Sequence, residues 1–157
     1  MDHPRPIFRQ HFQIFVEGIS DNQGPEEYFY SIDGLEQAVV FNTQDFLPGG
    51  TRSPLETPIA QKAGDLILKR PLMEEGSKIT QWCTDALNKL YFKIRPVHIF
   101  LLNRKNDVVA QWNMWAYPIN IRISTLGREP NQPNDIVEEV ITLRYEELQR
   151  SKPGASK

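Results

Sequence analysis

The sequence is poor in cysteine and has no excess of basic charge. Cys83 is the single cysteine among 157 residues, so no internal disulfide can form. The 18 Lys and Arg against 20 Asp and Glu give a formal net charge of -2, which provides no basic field for nucleic acid or an anionic membrane. No apolar stretch has the pattern of a signal peptide or the length of a membrane span. We therefore expect synthesis in the cytoplasm without a signal peptide, no membrane insertion and no specific nucleic-acid binding.

The sequence also lacks the motifs of common catalytic and metal centres. It contains no HExxH, EF-hand, P-loop or GxSxG pattern. The histidines are scattered along the chain: His3, His11 and His98. Adjacent glutamates are expected to be solvated, because nothing beside them predicts burial of one member: Glu74 and Glu75, Glu138 and Glu139, Glu146 and Glu147. The sequence thus predicts no catalytic, cofactor-binding or metal-binding residue and no enzymatic activity.

The stretch from residue 99 to 123 predicts two strands joined by a polar turn at 103–107. Apolar side chains share one face of the second strand: Val108, Ala110, Trp112 and Met114. Beyond Pro118 the apolar positions change parity: Ile119, Ile121 and Ile123. A strand whose buried face changes midway requires a bulge or bend, which we place near Pro118. Such a strand is typical of orthogonal sandwiches and small antiparallel barrels, so Trp112 and Pro118 are assigned to the core of a mainly β fold.

One amphipathic helix is predicted after residue 77. Six apolar residues fall on a single helical stripe: Ile79, Trp82, Cys83, Ala86, Leu87 and Leu90. Ser77 is a suitable N-cap, and Lys89 lies near the negative end of the helix dipole. We expect this helix to flank the barrel, with Trp82 packed in the core.

Residues 42–62 are predicted to form a long arm without regular structure. The arm contains three prolines, Pro48, Pro54 and Pro58, and a Gly-Gly pair, which disfavour a helix or a central strand. Its apolar residues need a surface to cover: Phe46, Leu47, Leu55 and Ile59. That surface is either another subunit or the chain's own core, and the sequence favours neither over the other.

The remaining segments favour one domain over residues 1–150, followed by a flexible tail at 151–157. Residues 12–16 alternate as a first strand that ends near Gly18, and residues 64–70 predict a short buried strand before Pro71. The β-branched and aromatic content of residues 28–41 favours strand throughout. Residues 136–149 suit a helix and a strand about equally.

Four segments together resemble the tail tube proteins of contractile phages and phage-derived contractile injection systems, including type VI secretion tube-like proteins. The first two are residues 12–18, FQIFVEG, and residues 30–36, YSIDGLE, which is similar to the family's SGLE turn. The third, KAGDLILKR at 62–70, is similar to the GxxTLKRG strand before the helix, which in the family usually carries a tryptophan, here Trp82. The fourth, VAQWNMWAYP at 109–118, resembles the ARWxFxxAWP strand.

The resemblance implies a small antiparallel barrel with one flanking helix, in which residues 136–145 form a strand. It also implies a homo-hexameric ring that stacks into a tube, a payload in the lumen, and sheath and baseplate proteins as partners. In such a ring the arm would contact the adjoining subunit or ring, which predicts an assembly surface at Phe46, Leu47, Leu55 and Ile59. The particle would be phage tail-like and in some systems extracellular. Pro71 stands where the family usually has glycine, and the arm is rich in proline, so a bulk tube subunit and a specialised baseplate-proximal ring both remain open.

Two alternatives come from other functional classes. A monomeric β-barrel module could bind a ligand or peptide among Trp112, Trp115 and Tyr117. A carbohydrate-active enzyme could use a pair of the glutamates, but it would require a desolvated carboxylate pair, which the sequence does not predict. The oligomeric state separates the tube subunit from the monomeric module.

Overall fold

Antiparallel strands make up most of the structure, a computed structural model that describes residues 12–20, 29–44, 55–73, 77–127 and 136–152. In chain order the elements are β1 (Phe12–Val16), β2 (Ser31–Asp33), β3 (Val39–Gln44), β4 (Leu55–Gln61), β5 (Gly64–Pro71), α1 (Lys78–Lys89), β6 (Arg95–Leu102), β7 (Val108–Ile123) and β8 (Glu138–Ser151). Six strands form one sheet in the order β1-β6-β7-β8-β5-β2, and β3 pairs with β4 in a separate two-stranded sheet. The large sheet curls into a half-barrel with one helix, so the predicted mainly β fold is confirmed.

The predicted bulge in the long strand β7 is confirmed next to Pro118. Pro118 lies opposite Leu143 of β8, whereas Asn120 lies opposite Thr142, which leaves Ile119 as an extra residue. This insertion moves Ile121 to the core side, where it packs against the buried cluster. Because β6 begins opposite Ala116, Pro118 lies on a part of β7 that has only one described neighbouring strand. A residue without an N–H is best tolerated at such an edge.

Helix α1 is capped and buried much as its sequence predicts. The Ser77 hydroxyl accepts a hydrogen bond from the Thr80 N–H at 3.0 Å, and Trp82 and Cys83 lie in the core. The helix ends one residue earlier than the apolar stripe, because Leu90 adopts the left-handed conformation with φ of 53°. Leu90, the last member of the predicted stripe, is therefore 80% exposed.

One of the glutamates that the sequence places in solvent is buried instead. Glu139 is 2% exposed, because it alternates with the core residues Ile141 and Leu143 along β8. Its Oε2 lies 3.0 Å from the Nε of the equally buried Arg70 and accepts a hydrogen bond from the Thr80 hydroxyl at 3.2 Å. The ion pair joins β5 to β8, and the hydrogen bond joins the first turn of α1 to β8.

The arm at residues 42–62 was predicted to be irregular, and at both ends this is wrong. Strands β3 and β4 pair from Val39 opposite Gln61 to Gln44 opposite Leu55. Pro58 is accommodated because the register shifts beside it and leaves Ile59 as an extra residue. Phe46 and Leu47 lie outside the described residues, as does the rest of 45–54.

Three further segments clarify or correct the sequence predictions. Residues 136–149, which suited a helix and a strand equally, belong mainly to β8. Strand throughout 28–41 is wrong, because residues 34–38 have no regular structure between β2 and β3. The flexible tail was predicted at residues 151–157, but its first residue, Ser151, is the last residue of β8. Residues 153–157 lie outside the described part.

Candidate assembly surface

The hairpin formed by β3 and β4 exposes apolar side chains on a ribbon that pairs only with itself among the described strands. The exposed fractions are 40% to 61%: Val39, Val40, Phe41 and Ile59. None of these four residues belongs to the core cluster. An isolated two-stranded hairpin is marginally stable in water, so the exposed apolar side chains of this ribbon are a candidate contact surface. These four side chains therefore do not contribute to the described core.

Residues 34–38, which we call the stem, connect β2 to the hairpin, and hydrogen bonds to β8 hold them in place. The buried Tyr145 hydroxyl lies 2.6 Å from the carbonyl oxygen of Gly34 and accepts a hydrogen bond from the Glu36 N–H at 3.0 Å. Gly34 has φ of +100°, and a Cβ at this position would lie 2.1 Å from the carbonyl oxygen of Asp65. Only glycine fits this turn without a shift of the backbone.

Two further hydrogen bonds close the stem. The Gln37 side-chain amide donates to the Leu148 carbonyl at 2.7 Å, which joins the stem to the end of β8. The Lys62 N–H donates to the Ala38 carbonyl at 2.7 Å, where the two strands of the hairpin begin and end. The direction in which the hairpin leaves the sheet is therefore fixed by β8.

Replacing Tyr145 with Phe is expected to loosen the stem. The change removes a buried hydroxyl and leaves the Gly34 and Glu36 backbone groups without this partner, which typically costs about 1–3 kcal/mol. Chemical denaturation would measure the loss, and limited proteolysis would show faster cleavage in the hairpin. The matched control is Tyr91→Phe at an exposed position, and an equal effect of both changes would contradict the anchoring role.

The sheet has unpaired edges on both sides of its long central pair, β7 and β8. Strand β6 begins at Arg95, opposite Ala116, so β7 from 117 to 123 lacks a described neighbour on that side. Strand β5 begins at Gly64, opposite Tyr145, so β8 beyond Tyr145 lacks a described neighbouring strand on the other side. Unpaired edges of this kind are templates for strands of another chain.

Polar side chains on β6, β7 and β8 form a network on the outer face of the large sheet, together with Glu17, which follows β1. His98 on β6 places Nδ1 2.6 Å from Asn113 Oδ1 and Nε2 2.9 Å from Glu17 Oε1. The Asn113 amide nitrogen donates to the Ser151 hydroxyl at 3.1 Å. These side chains bind one another across the strands, as structural polar networks on sheets do.

Among the described residues, the pKa values of Tyr30 and Arg144 are clearly shifted, and neither shift marks a reactive group. Partial burial, followed by a hydrogen bond and the charge of Glu138, raises the pKa of Tyr30 to about 12. A hydrogen bond to Asp65, with Nε to Oδ1 at 3.0 Å, raises the pKa of Arg144 above its usual value. Both shifts stabilise the protonated form that these groups already have at neutral pH. The buried Glu139 contacts Arg70 and Thr80, so it does not form a desolvated carboxylate pair with its neighbour.

The structure separates the aromatic residues of the monomeric-module alternative. Trp112 packs partly against the core, whereas Trp115 is 46% exposed. An odd spacing along β7 places these two side chains on opposite faces of the sheet. Within the described part of the chain, no group of three His, Cys, Asp or Glu residues could hold a metal ion. None of the helices seen in that part is long and apolar enough to cross a membrane.

The residues predicted for the assembly surface have different places. Ile59 is exposed at the hairpin bulge, Leu55 is the β4 residue opposite Gln44, and Phe46 and Leu47 lie outside the described residues. Of the residues predicted for the core, Trp82 and Pro118 are buried and Trp112 is partly buried. Sequence reasoning missed Val39, Val40 and Phe41 as surface residues. Three consecutive apolar residues in a strand indicate that both faces of the strand are apolar. A sheet that packs on the core with one face leaves the other face exposed.

Comparisons with known proteins agree on the fold. A chain in the anti-feeding prophage (AFP) baseplate structure, 6-fold symmetrised, matches with a TM-score of 0.72 at 22% identity, covering 97% of this chain and 98% of that chain. A chain in the AFP tube terminating cap matches with 0.71 at 19%, covering 97% and 93%. A chain in the PVC sheath-tube complex of an extracellular contractile injection system, in the extended state, matches with 0.70 at 17%, covering 96% and 93%. No curated protein sequence matches.

The family assignment rests on the amino-acid sequence, which matches a family model. The family model of the T4-like virus tail tube protein gp19 matches residues 9–149, which include every described strand through most of β8. The four segments that resemble tail tube proteins all lie within this match. The chain belongs to the T4-like virus tail tube protein gp19 family.

Proposed function

We propose that this chain is a structural subunit of the inner tube of a contractile injection system or phage tail. Six copies form a ring, and rings stack into a conduit for a payload. The observation that carries the proposal is that a chain of the tail tube family leaves an apolar hairpin and the edges of its sheet uncovered. A subunit that is stable only in an assembly has such surfaces, whereas a free monomer buries or blunts them.

The unpaired edges of the sheet support ring formation. An interface between two different surfaces of one chain generates a ring when the rotation between copies closes. The unpaired part of β7 on one side and of β8 on the other are two such surfaces. Pairing between copies would satisfy their backbone groups and remove the free edges.

The hairpin supplies the second contact of the proposal, with the adjoining subunit or ring. Its apolar residues form the interface: Phe46, Leu47, Leu55 and Ile59 from the predicted arm, together with Val39, Val40 and Phe41. Extended segments that contain proline lose less entropy on docking than flexible ones. In this proposal residues 1–150 form one domain, in which Trp82, Trp112 and Pro118 maintain the fold.

The partners in the proposal are those of a contractile particle. The structures that share the fold include a sheath-tube complex, a baseplate and a tube cap, which makes sheath and baseplate proteins the expected neighbours. Pro71, where the family usually has glycine, and the proline-rich hairpin suit either a bulk ring or a baseplate-proximal ring. The assembled particle would act outside the producing cell if it resembles the extracellular systems.

Electron microscopy of the purified protein tests this function. The parent chain is expected to form rings or tubes, alone or with a baseplate partner. A variant in which a short Gly-Ser turn joins Ala38 to Lys62 in place of the hairpin should stay folded, because these two residues already meet through a backbone hydrogen bond of 2.7 Å. It should fail to form tubes.

Two results would contradict the proposal. A parent chain that remains monomeric by light scattering at high concentration, with no rings on grids, would favour the monomeric binding module. Normal tubes from the well-folded hairpin variant would show that the hairpin does not contribute to assembly. A lower melting temperature of the isolated variant would instead indicate that the hairpin covers its own core.

A further inference from the structure

An open groove of about 460 Å³ lies beside helix α1, and we call it the basic groove. Its lining includes four cations and one carboxylate: Lys78, Lys89, Lys93, Arg95 and Asp85. The whole chain carries a net charge of -2, so the groove is opposite in sign to the protein as a whole. Side chains of one sign around a concave surface concentrate their field on a ligand of the other sign. The basic groove therefore favours a ligand with negative charge.

Helix α1 contributes one stripe of its surface to the basic groove. Lys78, Trp82, Asp85 and Lys89 follow one another at spacings of four, three and four residues, which places them on one face of the helix. Lys78 and Lys89 are the first and last residues of α1, so they are about 17 Å apart along its axis at the usual rise per residue. An extended peptide covers this distance with about five residues. The groove is thus long enough for a short segment of a protein.

The rest of the lining comes from the turn after β1 and from the segment between α1 and β6. The Ile19 N–H donates to the Val16 carbonyl at 3.1 Å, which closes the turn after β1. The Phe92 ring lies 5.8 Å from the Tyr117 ring, which holds the second segment against β7. Because contacts within the chain fix both segments, the basic groove is formed before a ligand binds, as most binding sites are.

The cations of the basic groove are available to a ligand. Arg95 Nη1 donates to the Glu17 carbonyl oxygen at 3.3 Å, but Arg95 Nε has no hydrogen-bond partner among the described residues. Gly18 leaves space for this guanidinium, because a Cβ at that position would collide with Nη1. Neither Lys89 nor Lys93 forms an ion pair with a described residue. A guanidinium with unused donors beside two lysines is a typical receptor for carboxylates.

Apolar surface adjoins these cations. Tyr91 lines the groove and is 68% exposed, and its neighbour Leu90 is 80% exposed. Trp82 and Ala86 lie between the lysines on the helix stripe. A small anion would bind the cations and leave this apolar surface in water, whereas a peptide with apolar side chains would cover both. The combination favours a peptide over a small anion.

A nucleic acid also combines negative charge with apolar rings, but it suits the groove less well. Asp85 lies on the helix stripe between Lys78 and Lys89, where it would repel a continuous phosphate backbone. The net charge of -2 also provides no long-range attraction for a polyanion. A peptide avoids this repulsion because it can place a neutral or basic residue beside Asp85.

We propose that the basic groove binds an acidic segment of a different protein, with at least two carboxylates beside a large apolar side chain. The carboxylates bind Arg95 and Lys93, and the apolar side chain packs on Tyr91. Two copies of this chain do not pair groove to groove, because like charges would then face each other. The inference goes beyond the proposed function, since it adds a partner at a surface other than the hairpin and the sheet edges.

Fluorescence polarisation with labelled synthetic peptides tests the site. The probe is the peptide Glu-Phe-Glu-Glu-Leu-Glu, and the control peptide Gln-Phe-Gln-Gln-Leu-Gln has the same shape without charge. The full chain is kept dilute, and light scattering verifies that it is monomeric. We expect the acidic probe to bind with saturation and the amide peptide to bind much more weakly.

Two charge reversals locate the binding. Loss of a hydrogen bond to a charged group typically weakens binding about tenfold or more, so Lys93→Glu should raise the Kd of the probe by at least about that factor. The matched control is Lys105→Glu, which makes the same change at an exposed lysine in the turn between β6 and β7. Because Lys105 does not line the groove, its reversal should change the Kd far less.

Several results would overturn the assignment. Absence of saturable binding by the acidic probe would do so outright, and equal effects of the two charge reversals would show that net charge alone is responsible. Tighter binding of a short oligothymidine would assign the groove to single-stranded nucleic acid. Full displacement of the probe by an equal concentration of inorganic phosphate would assign it to a small anion, and equally tight binding of hexaglutamate would remove the apolar part of the proposal.

Assembled protein provides the last arm of the test. The probe should still bind to rings or tubes, because the partner is not a second copy of this chain. Binding by the dilute chain that disappears on assembly would show that another copy covers the groove, and it would overturn the assignment to a different protein. None of these binding results depends on whether rings form on grids, so the proposed tube function is judged separately.

Discussion

Replacing Trp82 with Ala is expected to lower the free energy of unfolding by about 3–5 kcal/mol, the usual range for truncating a buried tryptophan. Trp82 is 8% exposed and belongs to the core cluster between α1 and the sheet. Truncation removes its contacts and leaves a cavity that the surrounding strands fill only in part. In a protein of this size each kcal/mol lowers Tm by roughly 2–4 °C, so differential scanning calorimetry of the dilute protein would resolve the change.

Trp115→Ala is the matched control, because it truncates the same residue type at a position that is 46% exposed. Its melting temperature should stay close to that of the parent. Equal effects of the two substitutions would contradict the packing of α1 against the sheet. Retention of the parent melting temperature in Trp82→Ala would contradict it too.

The second large effect is expected from the buried ion pair. Glu139→Leu leaves Arg70 buried and without its carboxylate, and breaking a buried pair in this way costs about 3–5 kcal/mol. The Thr80 hydroxyl loses its acceptor at the same time, so the first turn of α1 is released from β8. Urea denaturation would measure the change in the free energy of unfolding.

The double variant Arg70→Met with Glu139→Leu separates charge from packing. Replacing a buried pair by apolar residues of similar volume is often neutral, so the double variant should recover much of the stability that Glu139→Leu loses. Asp65→Asn is the control for an exposed pair, since Asp65 and Arg144 are each 45% exposed, and it should change the midpoint little. A double variant no more stable than Glu139→Leu would show that Arg70 does not require a counter-charge.

Local sequence patterns predicted much of the large sheet. The turn between β6 and β7 follows from its own residues, because the Asn103 side chain accepts hydrogen bonds from the Lys105 and Asp107 N–H groups. The bulge at Ile119 follows from the parity of the isoleucines around it. These features depend on neighbours along the chain, which a sequence displays directly.

Features that depend on distant neighbours were missed. Nothing beside Glu139 in the sequence indicates that Arg70 will lie opposite it across the β5–β8 pair. The prolines of the arm disfavour a central strand, yet Pro58 fits a two-stranded ribbon, in which each strand has an edge that no described strand covers. Leu90 continues the helical stripe in sequence, and only the end of the helix turns it into solvent.

The place of β8 has a consequence for the order in which the sheet can form during synthesis. β8 is the last described strand along the chain, yet it lies between β7 and β5 and joins the two halves of the sheet. A nascent chain that has emerged only as far as β7 can pair β1, β6 and β7, whereas β5 and β2 still lack the strand that binds them to the rest. Folding is therefore completed only after residues 138–151 have left the ribosome, and chains interrupted before that point cannot present the joined sheet to a growing assembly.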